Sequence, residues 1–282
     1  MTKYLFTLAA LSLVLAGCQK QIDNTDPVDT NMYKEIKNES YGSDSAEKAD
    51  IYLPAGRNTS ATKVAILLHG GAWSTGDKTD LNDFIKMVQQ KYPELAIVNM
   101  NYRLASPANY HPAQINDIKN LLDYLDAKSS TWGISNNYAI GGVSAGAHLA
   151  LLYSYKYDAA KKIKVVLSVV GPTYFLDPYY VNNPLYQPIV TNFIGKPLSD
   201  SASYRDASPA WVVAAGAPPT YMAYGGLDPL VPVNNPILLD QKLTTLNVPH
   251  QYDFFPIEGH EFTNPTYDTV ARKMVAFLKQ YQ

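Results

Sequence analysis

Ser144 lies in a segment whose residue types could support nucleophilic chemistry. It stands in Gly142-Val-Ser144-Ala-Gly146, after a short apolar run at 138–140 and before a run of helix-forming residues. A residue on such a sharp strand-to-helix turn adopts a strained backbone conformation, and the residues two positions away must lack bulk. That geometry exposes the hydroxyl. The same pattern also fits a glycine-rich turn with a surface serine, so the rest of the chain has to supply a base, an acid and oxyanion-binding groups.

Strand and helix patterns alternate on both sides of this segment. Apolar runs typical of strands buried on both faces of a sheet are separated by helices with one apolar face. This order predicts a single α/β domain with one mostly parallel, doubly wound sheet, entered through an antiparallel hairpin. The predicted strands are 32–38, 49–53, 63–68, 96–100, 138–140, 163–170, 220–224 and 251–255, and the predicted helices besides the one after Ser144 are 81–92, 112–127, 235–246 and 266–281.

Four residues with useful chemistry come directly after predicted strands. They are His69, Ser144, Asp228 and His260. Because active groups of open parallel sheets gather at the carboxyl ends of the strands, we expect these residues to lie at one edge of the sheet.

The segments together resemble the α/β-hydrolase fold, and within it the serine esterases with a His-Gly-Gly-x-Trp oxyanion loop. The matching motifs are His69-Gly-Gly-Ala-Trp73, Asn101-Tyr-Arg-Leu104, Gly142-Val-Ser-Ala-Gly146, Asp228 and Gly259-His260, in the chain order Ser, Asp, His. The resemblance extends from Ala49 to the C-terminus. It implies an α/β-hydrolase domain over 32–282, with helices on both faces of a central sheet and a small cap excursion.

The resemblance assigns Ser144 as the nucleophile, His260 as the base and Asp228 as the acid. A serine hydroxyl is a poor nucleophile until a base removes its proton, and an imidazole with a pKa near ~6.5 can accept and return that proton. Asp228 would orient the ring and stabilise the imidazolium. Glu258 and Asp253 are the rival carboxylates, but Asp253 lies inside a predicted strand and Glu258 is only two residues from His260.

The oxyanion hole is predicted to consist of backbone N–H groups. They belong to Ala145 and to one or both of Gly71 and Ala72, since glycines let the backbone approach the substrate closely. The family usually has a third glycine where Ala72 stands, and Trp73 supports the shorter variant of the loop.

The long connection at 171–209 is predicted to be an irregular cap over the site. It is rich in proline and tyrosine and too long for a simple link between strand and helix. Trp73, Tyr174 and Tyr179 are candidate substrate contacts, because aromatic faces stack on sugar rings or aromatic acyl groups. The alternative is that the cap aromatics only bury this excursion against the body.

The N-terminus resembles that of an exported bacterial lipoprotein. Lys3 precedes an apolar run at 5–15 that is too short to span a bilayer, and Leu15-Ala-Gly-Cys18 resembles a lipobox. We expect a signal peptide at 1–17, lipid attachment at Cys18 and a flexible tether at 18–31. Gln19 favours the outer membrane, on a side that the sequence does not specify. The alternative is an ordinary cleaved signal with a stray cysteine.

Composition narrows the range of partners. The 282 residues carry a formal net charge of −2, which gives no basic excess for nucleic acid. Five dispersed histidines and a lone cysteine predict neither a metal site nor a disulfide, and we expect no cofactor. The oligomeric state is left open.

The resemblance implies cleavage of carboxylic esters through an acyl-enzyme, on a small-molecule or oligosaccharide substrate. Acetyl or feruloyl esters of carbohydrates are the implied substrates. Two alternatives stay open: an amide hydrolase similar to arylformamidases or peptidases of this fold, and a non-catalytic glycan-binding lipoprotein on the same scaffold.

Overall fold

A mixed β-sheet forms the centre of the protein. The structure, a computed structural model, describes residues 29–282. The predicted signal peptide, Cys18 and all but the end of the tether lie outside these residues. The strands are β1 (Lys34–Ser40), β2 (Lys48–Leu53), β3 (Val64–Leu68), β4 (Ala96–Met100), β5 (Tyr138–Val143), β6 (Ile163–Val169), β7 (Thr220–Gly225) and β8 (His250–Phe255).

The order of the strands confirms the predicted α/β-hydrolase fold class. The sheet has the order β1-β2-β4-β3-β5-β6-β7-β8. Strand β2 is antiparallel to both β1 and β4, and the remaining neighbours are parallel. Strands β3 and β4 are buried along their whole length, as expected for continuous apolar runs covered on both faces.

Helices cover both faces of the sheet. Helices α1 and α9 pack on one face around Ile85, Val88 and Val270, while α2, α3 and α8 pack on the other. Helix α2 continues well past its predicted end and stops at Gly133, whose φ of 64° suits glycine. The helices are α1 (Asn82–Lys91), α2 (Ala113–Trp132), α3 (Ala145–Leu152), α4 (Pro178–Val181), α5 (Gln187–Ile194), α6 (Ser201–Asp206), α7 (Pro209–Val212), α8 (Asn234–Thr245) and α9 (Asn264–Tyr281).

The connection between β6 and β7 is more regular than predicted. It contains the short helices α4 to α7, which we call the cap. Local signals start them: the carboxylates of Asp177 and Asp200 accept backbone N–H groups at the starts of α4 and α6, and proline stands in the first turn of α4, α5 and α7. Helices of four to eight residues are too short to produce a clear helical period, so the sequence pattern does not reveal them.

Among residues 29–282, no helix has the length and apolar character needed to cross a bilayer.

Candidate active site

Ser144 occupies a strained turn between β5 and α3. Its φ of 54° and ψ of −119° lie outside the regions that L-residues ordinarily adopt. A Cβ on Gly142 or Gly146 would lie 2.4 Å or 2.2 Å from the carbonyl oxygen of Leu68, so the backbone of β3 leaves room only for glycine. The glycines at this turn therefore have the steric role that their spacing predicts, and Ser144 is held at the edge of the sheet.

The structure brings Ser144, His260 and Asp228 into one hydrogen-bonded chain. His260 Nε2 lies 2.9 Å from Ser144 Oγ, and His260 Nδ1 lies 2.8 Å from Asp228 Oδ2. The Asp228 side chain is 1% exposed, and its other oxygen accepts the backbone N–H groups of Leu230 and Val231 at 2.7 Å and 2.9 Å. With Nδ1–H donating to the fixed carboxylate, Nε2 presents its lone pair to the hydroxyl, which is the arrangement a general base requires.

The rival carboxylates have other partners. Asp253 accepts hydrogen bonds from the Tyr221 hydroxyl and from Lys273, each at 2.7 Å. Glu258 accepts from Thr263 and Thr266 and stabilises the turn before α9. These partners occupy both carboxylates, which leaves Asp228 as the carboxylate bonded to His260.

The predicted oxyanion loop, residues 69–73, lies against Ser144. A Cβ on Gly70 would be 3.4 Å from Ser144 Cβ, so the two backbones are in close contact. Gly71, Ala72 and Trp73 have φ values of 107°, 50° and 61°. The left-handed conformation costs a residue with a side chain about 1–2 kcal/mol, so other contacts must hold Ala72 and Trp73 in place.

The predicted oxyanion donors are free to bind a ligand. Ala145 is the first residue of α3, where a backbone N–H has no partner within the helix. Within residues 29–282, the N–H groups of Gly71 and Ala72 donate to no backbone or side-chain acceptor. Gly71 and Ala72 line the same cavity as Ser144.

A polar network braces the chain just after the oxyanion loop. Asn101 accepts the backbone N–H of Lys78 at 2.6 Å and donates to Asp77 at 2.6 Å. Burial alone would raise the pKa of Asp77, but the hydrogen bonds from Asn101 and Thr79 outweigh it and lower the pKa to about 2. The sequence motif that begins at Asn101 is thereby given a structural role, namely to brace the chain that follows the loop.

His69 opens the loop and is itself buried. Its Nδ1–H donates to the carbonyl oxygen of Gly70 at 2.7 Å, its backbone oxygen accepts the Tyr102 hydroxyl at 3.0 Å, and its ring stacks on Tyr102 at 4.4 Å. Burial lowers the pKa of His69, which keeps the ring neutral. His69 therefore acts on the loop through its hydrogen bonds and its stacking.

A cavity of about 650 Å³ opens in front of Ser144 and His260. Part of its wall comes from α1 and the start of α9, and part comes from the cap and the loop after Asp228. The lining side chains from α1 and α9 include Phe84, Met87 and Tyr267, and those from the cap and the loop include Tyr180, Tyr186, Ile189, Leu230 and Val231. Its size suits a drug-sized or disaccharide-sized ligand.

The candidate substrate contacts are only partly at this cavity. Trp73 lines it but is 3% exposed, with its indole N–H bonded to His148. Tyr174 lies outside the lining and stacks on Trp211. Tyr179 stacks on Tyr186, and its hydroxyl donates to the carbonyl oxygen of Pro229. Tyr180 and Tyr186 line the cavity, whereas Tyr174 and Tyr179 do not, so their predicted contact with substrate stays a prediction.

Sequence reasoning gave no role at the site to His148 or Lys78. His148 accepts the indole N–H of Trp73 at the end of residues 69–73, and Lys78 pairs with Asp50 just beyond that loop. Neither position carries a motif for such a contact. Within residues 29–282, no group of three or more His, Cys, Asp or Glu side chains is arranged to hold a metal ion.

The strained serine turn, the strand order and the Ser–His–Asp chain define a protein of the α/β-hydrolase class. A sequence profile of the BD-FAE family matches residues 49–243, about two thirds of the chain. The protein therefore belongs to the BD-FAE family.

Curated relatives carry the names of esterases and of a formamidase. A probable carboxylic ester hydrolase, LipM, of Mycobacterium tuberculosis is 29% identical over 72% of this chain and 50% of its own length. The kynurenine formamidase of Meyerozyma guilliermondii is 30% identical over 60% of this chain and 63% of its own length. The chain thus spans between half and two thirds of the length of these relatives.

Solved structures share the fold across almost the whole chain. A truncated carbohydrate esterase from gut microbiota superposes with a TM-score of 0.77 at 20% identity, covering 90% of this chain and 97% of its own. A bifunctional GH43-CE protein of Bacteroides eggerthii superposes with a TM-score of 0.75 at 21% identity, covering 87% of this chain and 35% of its own. At this identity the likeness concerns the fold alone.

Proposed function

We propose that the protein hydrolyses carboxylic esters through a covalent acyl-serine intermediate. The observation that carries the proposal is the chain from Ser144 Oγ through the His260 ring to Asp228, with distances of 2.9 Å and 2.8 Å. Membership of the BD-FAE family and the esterase names of the curated relatives support it.

The geometry suggests a sequence of proton transfers. As Ser144 Oγ attacks the carbonyl carbon, His260 Nε2 takes the hydroxyl proton, and the N–H groups of Gly71, Ala72 and Ala145 bind the developing oxyanion. The bond to the alcohol then breaks, and His260 returns the proton to the leaving oxygen. A water molecule attacks the acyl group with His260 again as base, which releases the acid and restores Ser144.

The proposed substrates are acetyl or feruloyl esters of carbohydrates. A cavity of about 650 Å³ has room for a sugar ring and an acyl group, and Tyr180 and Tyr186 offer aromatic faces to either. Two of the superposed structures are described as a carbohydrate esterase and a GH43-CE protein, which favours the same class.

The test is turnover of 4-nitrophenyl acetate and of acetylated and feruloylated oligosaccharides by wild-type protein and Ser144→Ala. The alanine variant should lose at least about 10³-fold in kcat and keep its melting temperature. Near wild-type turnover in Ser144→Ala would refute the mechanism. Failure of a fluorophosphonate probe to label Ser144 would favour the non-catalytic glycan-binding alternative.

An aryl formamide is the second candidate substrate. The similarity to a kynurenine formamidase, 30% identical over 178 residues, is the observation that favours it. Both reactions would use the same nucleophile and oxyanion donors, so they are separated by comparing kcat/KM for N-formylkynurenine with that for an aryl acetate. A preference of ~100-fold or more for the formamide would replace the ester assignment.

We also propose that the protein is exported and anchored to the outer membrane through a lipid on Cys18. The support is the sequence of residues 1–19, which lie outside the described structure. Incorporation of labelled palmitate into wild-type protein and not into Cys18→Ala would support the anchor, and equal labelling of both would exclude it.

A further inference from the structure

Trp73, the last residue of the oxyanion loop, is almost completely buried at 3% exposure. Its backbone oxygen accepts the N–H of Ala105 at 2.7 Å, but the strained φ values of Ala72 and Trp73 need support from the side chain as well. The indole has a single polar hydrogen, so the partner of that hydrogen fixes the orientation of the ring.

His148 is that partner. The Trp73 indole N–H donates to His148 Nδ1 at 3.1 Å, and His148 Nε2–H donates to the carbonyl oxygen of Ala207 at 2.8 Å. Ala207 directly follows α6 of the cap. His148 is fully buried on α3, and its backbone N–H donates to the carbonyl oxygen of Ser144 at 3.0 Å.

The two contacts fit only one form of the ring. Nδ1 must carry a lone pair to accept the indole, and Nε2 must carry a proton to donate to the carbonyl. In a doubly protonated ring, Nδ1–H and the indole N–H would be two donors facing each other, so the hydrogen bond would be lost. Burial lowers the pKa of His148 to about 3, so the neutral ring persists across the range in which most enzymes work.

Aromatic side chains of the cap enclose this hydrogen-bonded pair. Phe193 stacks on Trp73 at 4.7 Å, and Phe175 packs against His148 at 4.7 Å. The nucleophile helix, the oxyanion loop and the cap therefore meet at one buried imidazole.

We propose that His148 is a positioning residue that holds the oxyanion loop in its strained conformation and joins it to the cap. It does not touch the substrate and acts through Trp73. The proposal rests on the proposed hydrolase function, because the loop is assigned there to oxyanion binding. It makes the cap a support of the catalytic geometry as well as a wall of the cavity.

The test compares His148→Phe, His148→Gln and Trp73→Phe for 4-nitrophenyl acetate hydrolysis, with kcat calculated per fluorophosphonate-titrated site. His148→Phe keeps an aromatic ring without the polar contacts and should lower kcat about 30- to 100-fold, while KM changes less than about threefold. His148→Gln keeps one acceptor and one donor and should recover kcat to within about fivefold of wild type. Trp73→Phe should resemble His148→Phe, and the double variant should lose little more than either one.

His111→Gln is the matched control. This histidine is partly buried and also contacts Phe193, at 5.3 Å, but it makes no hydrogen bond to Trp73. It should change kcat per titrated site less than about threefold, as expected for a residue that does not contact the loop. If His148→Phe lowers only the melting temperature or the titratable fraction, the residue has a packing role and the proposal fails. A shift in the pH midpoint of kcat/KM would place its effect on His260 and would also overturn it.

A readout that does not require turnover separates this proposal from the proposed function. In protein labelled with ¹⁵N-histidine, NMR should show the Nε2–H tautomer of His148 in wild type, and Trp73→Phe should shift its Nδ1 resonance. Absence of ester hydrolysis would refute the function and leave this result intact. An Nδ1–H tautomer in wild type would refute the positioning contact itself.

Discussion

Lys78 Nζ lies 3.1 Å from Asp50 Oδ1, and the two side chains are only 5% and 4% exposed. The pair joins the segment after the oxyanion loop to strand β2, far from it in the chain. Asp50 also lies 3.3 Å from Lys37, whose side chain is 45% exposed. The buried ion pair therefore attaches the segment after the oxyanion loop to β2, which is separated from β3 by β4 in the sheet. The two members of the pair differ in their remaining partners.

That difference predicts unequal costs for removing either member. Asp50→Asn leaves the Lys78 ammonium buried without its carboxylate and should lower the free energy of unfolding by about 3–5 kcal/mol. Lys78→Met should cost less, because Asp50 keeps Lys37. Urea unfolding measures both, with Glu35→Gln as the control, because Glu35 pairs with Lys37 at the surface and should contribute less than about 1 kcal/mol. Equal losses for all three variants would contradict the assignment.

Asp228 and the rival carboxylate Asp253 should differ in their effect on catalysis. Asp228→Asn should lower kcat by about 10³- to 10⁴-fold with little change in stability, because the amide no longer stabilises the imidazolium. Asp253→Asn should leave kcat within about threefold, since its partners Tyr221 and Lys273 lie outside the reacting chain. Steady-state kinetics at saturating 4-nitrophenyl acetate measures both values of kcat. A comparable kcat for the two variants would show that Asp228 is not the carboxylate that assists His260.

Gly146 should tolerate no side chain. A Cβ there would be 2.2 Å from the Leu68 oxygen, so Gly146→Ala has to displace β3 or α3 and should cost about 3 kcal/mol or more. Gly216 is the control, because its φ is +81° but nothing lies within 4 Å of a Cβ there. Gly216→Ala should therefore cost only the backbone strain, about 1–2 kcal/mol. Thermal unfolding compares the two, and similar costs would indicate that steric contact at the serine turn is unimportant.

Stability should fall on acidification because the folded protein holds two histidines in the neutral form. Burial lowers the pKa of His148 to about 3 and that of His111 to about 4. Between about pH 6.5 and pH 4 the unfolded chain binds protons at both sites and the folded chain binds few. The contribution of these histidines to the free energy of unfolding is therefore complete above about pH 6.5 and decreases as the pH falls. Each histidine lowers the free energy of unfolding by up to about 1.4 kcal/mol per pH unit.

The variant His148→Gln should have a smaller slope of unfolding free energy against pH, because its unfolded chain takes up one proton fewer. Urea unfolding of wild type and variant at several pH values from 7 to about 4.5 measures the slopes, since proton uptake on unfolding sets the dependence. Parallel slopes for the two proteins would show that His148 is not held neutral in the folded state.

The sequence alone determined the features that depend on neighbours along the chain. Apolar runs such as Val64–Leu68 identify buried strands, and their alternation with amphipathic helices sets the fold class. The glycines around Ser144 identify the turn, because only a residue without Cβ can stand beside β3. These signals are local steric and burial requirements, so they can be read without knowing what lies opposite.

The tertiary structure decided which side chains meet. Only the folded chain brings His260 to Ser144, gives Asp253 and Glu258 other partners, and turns Tyr180 and Tyr186 rather than Tyr174 into the cavity. The contacts of His148 with Trp73 and of Lys78 with Asp50 likewise join segments far apart in the chain. A pairing between two distant polar atoms leaves no periodicity in either segment, and it depends on packing that the whole fold establishes together.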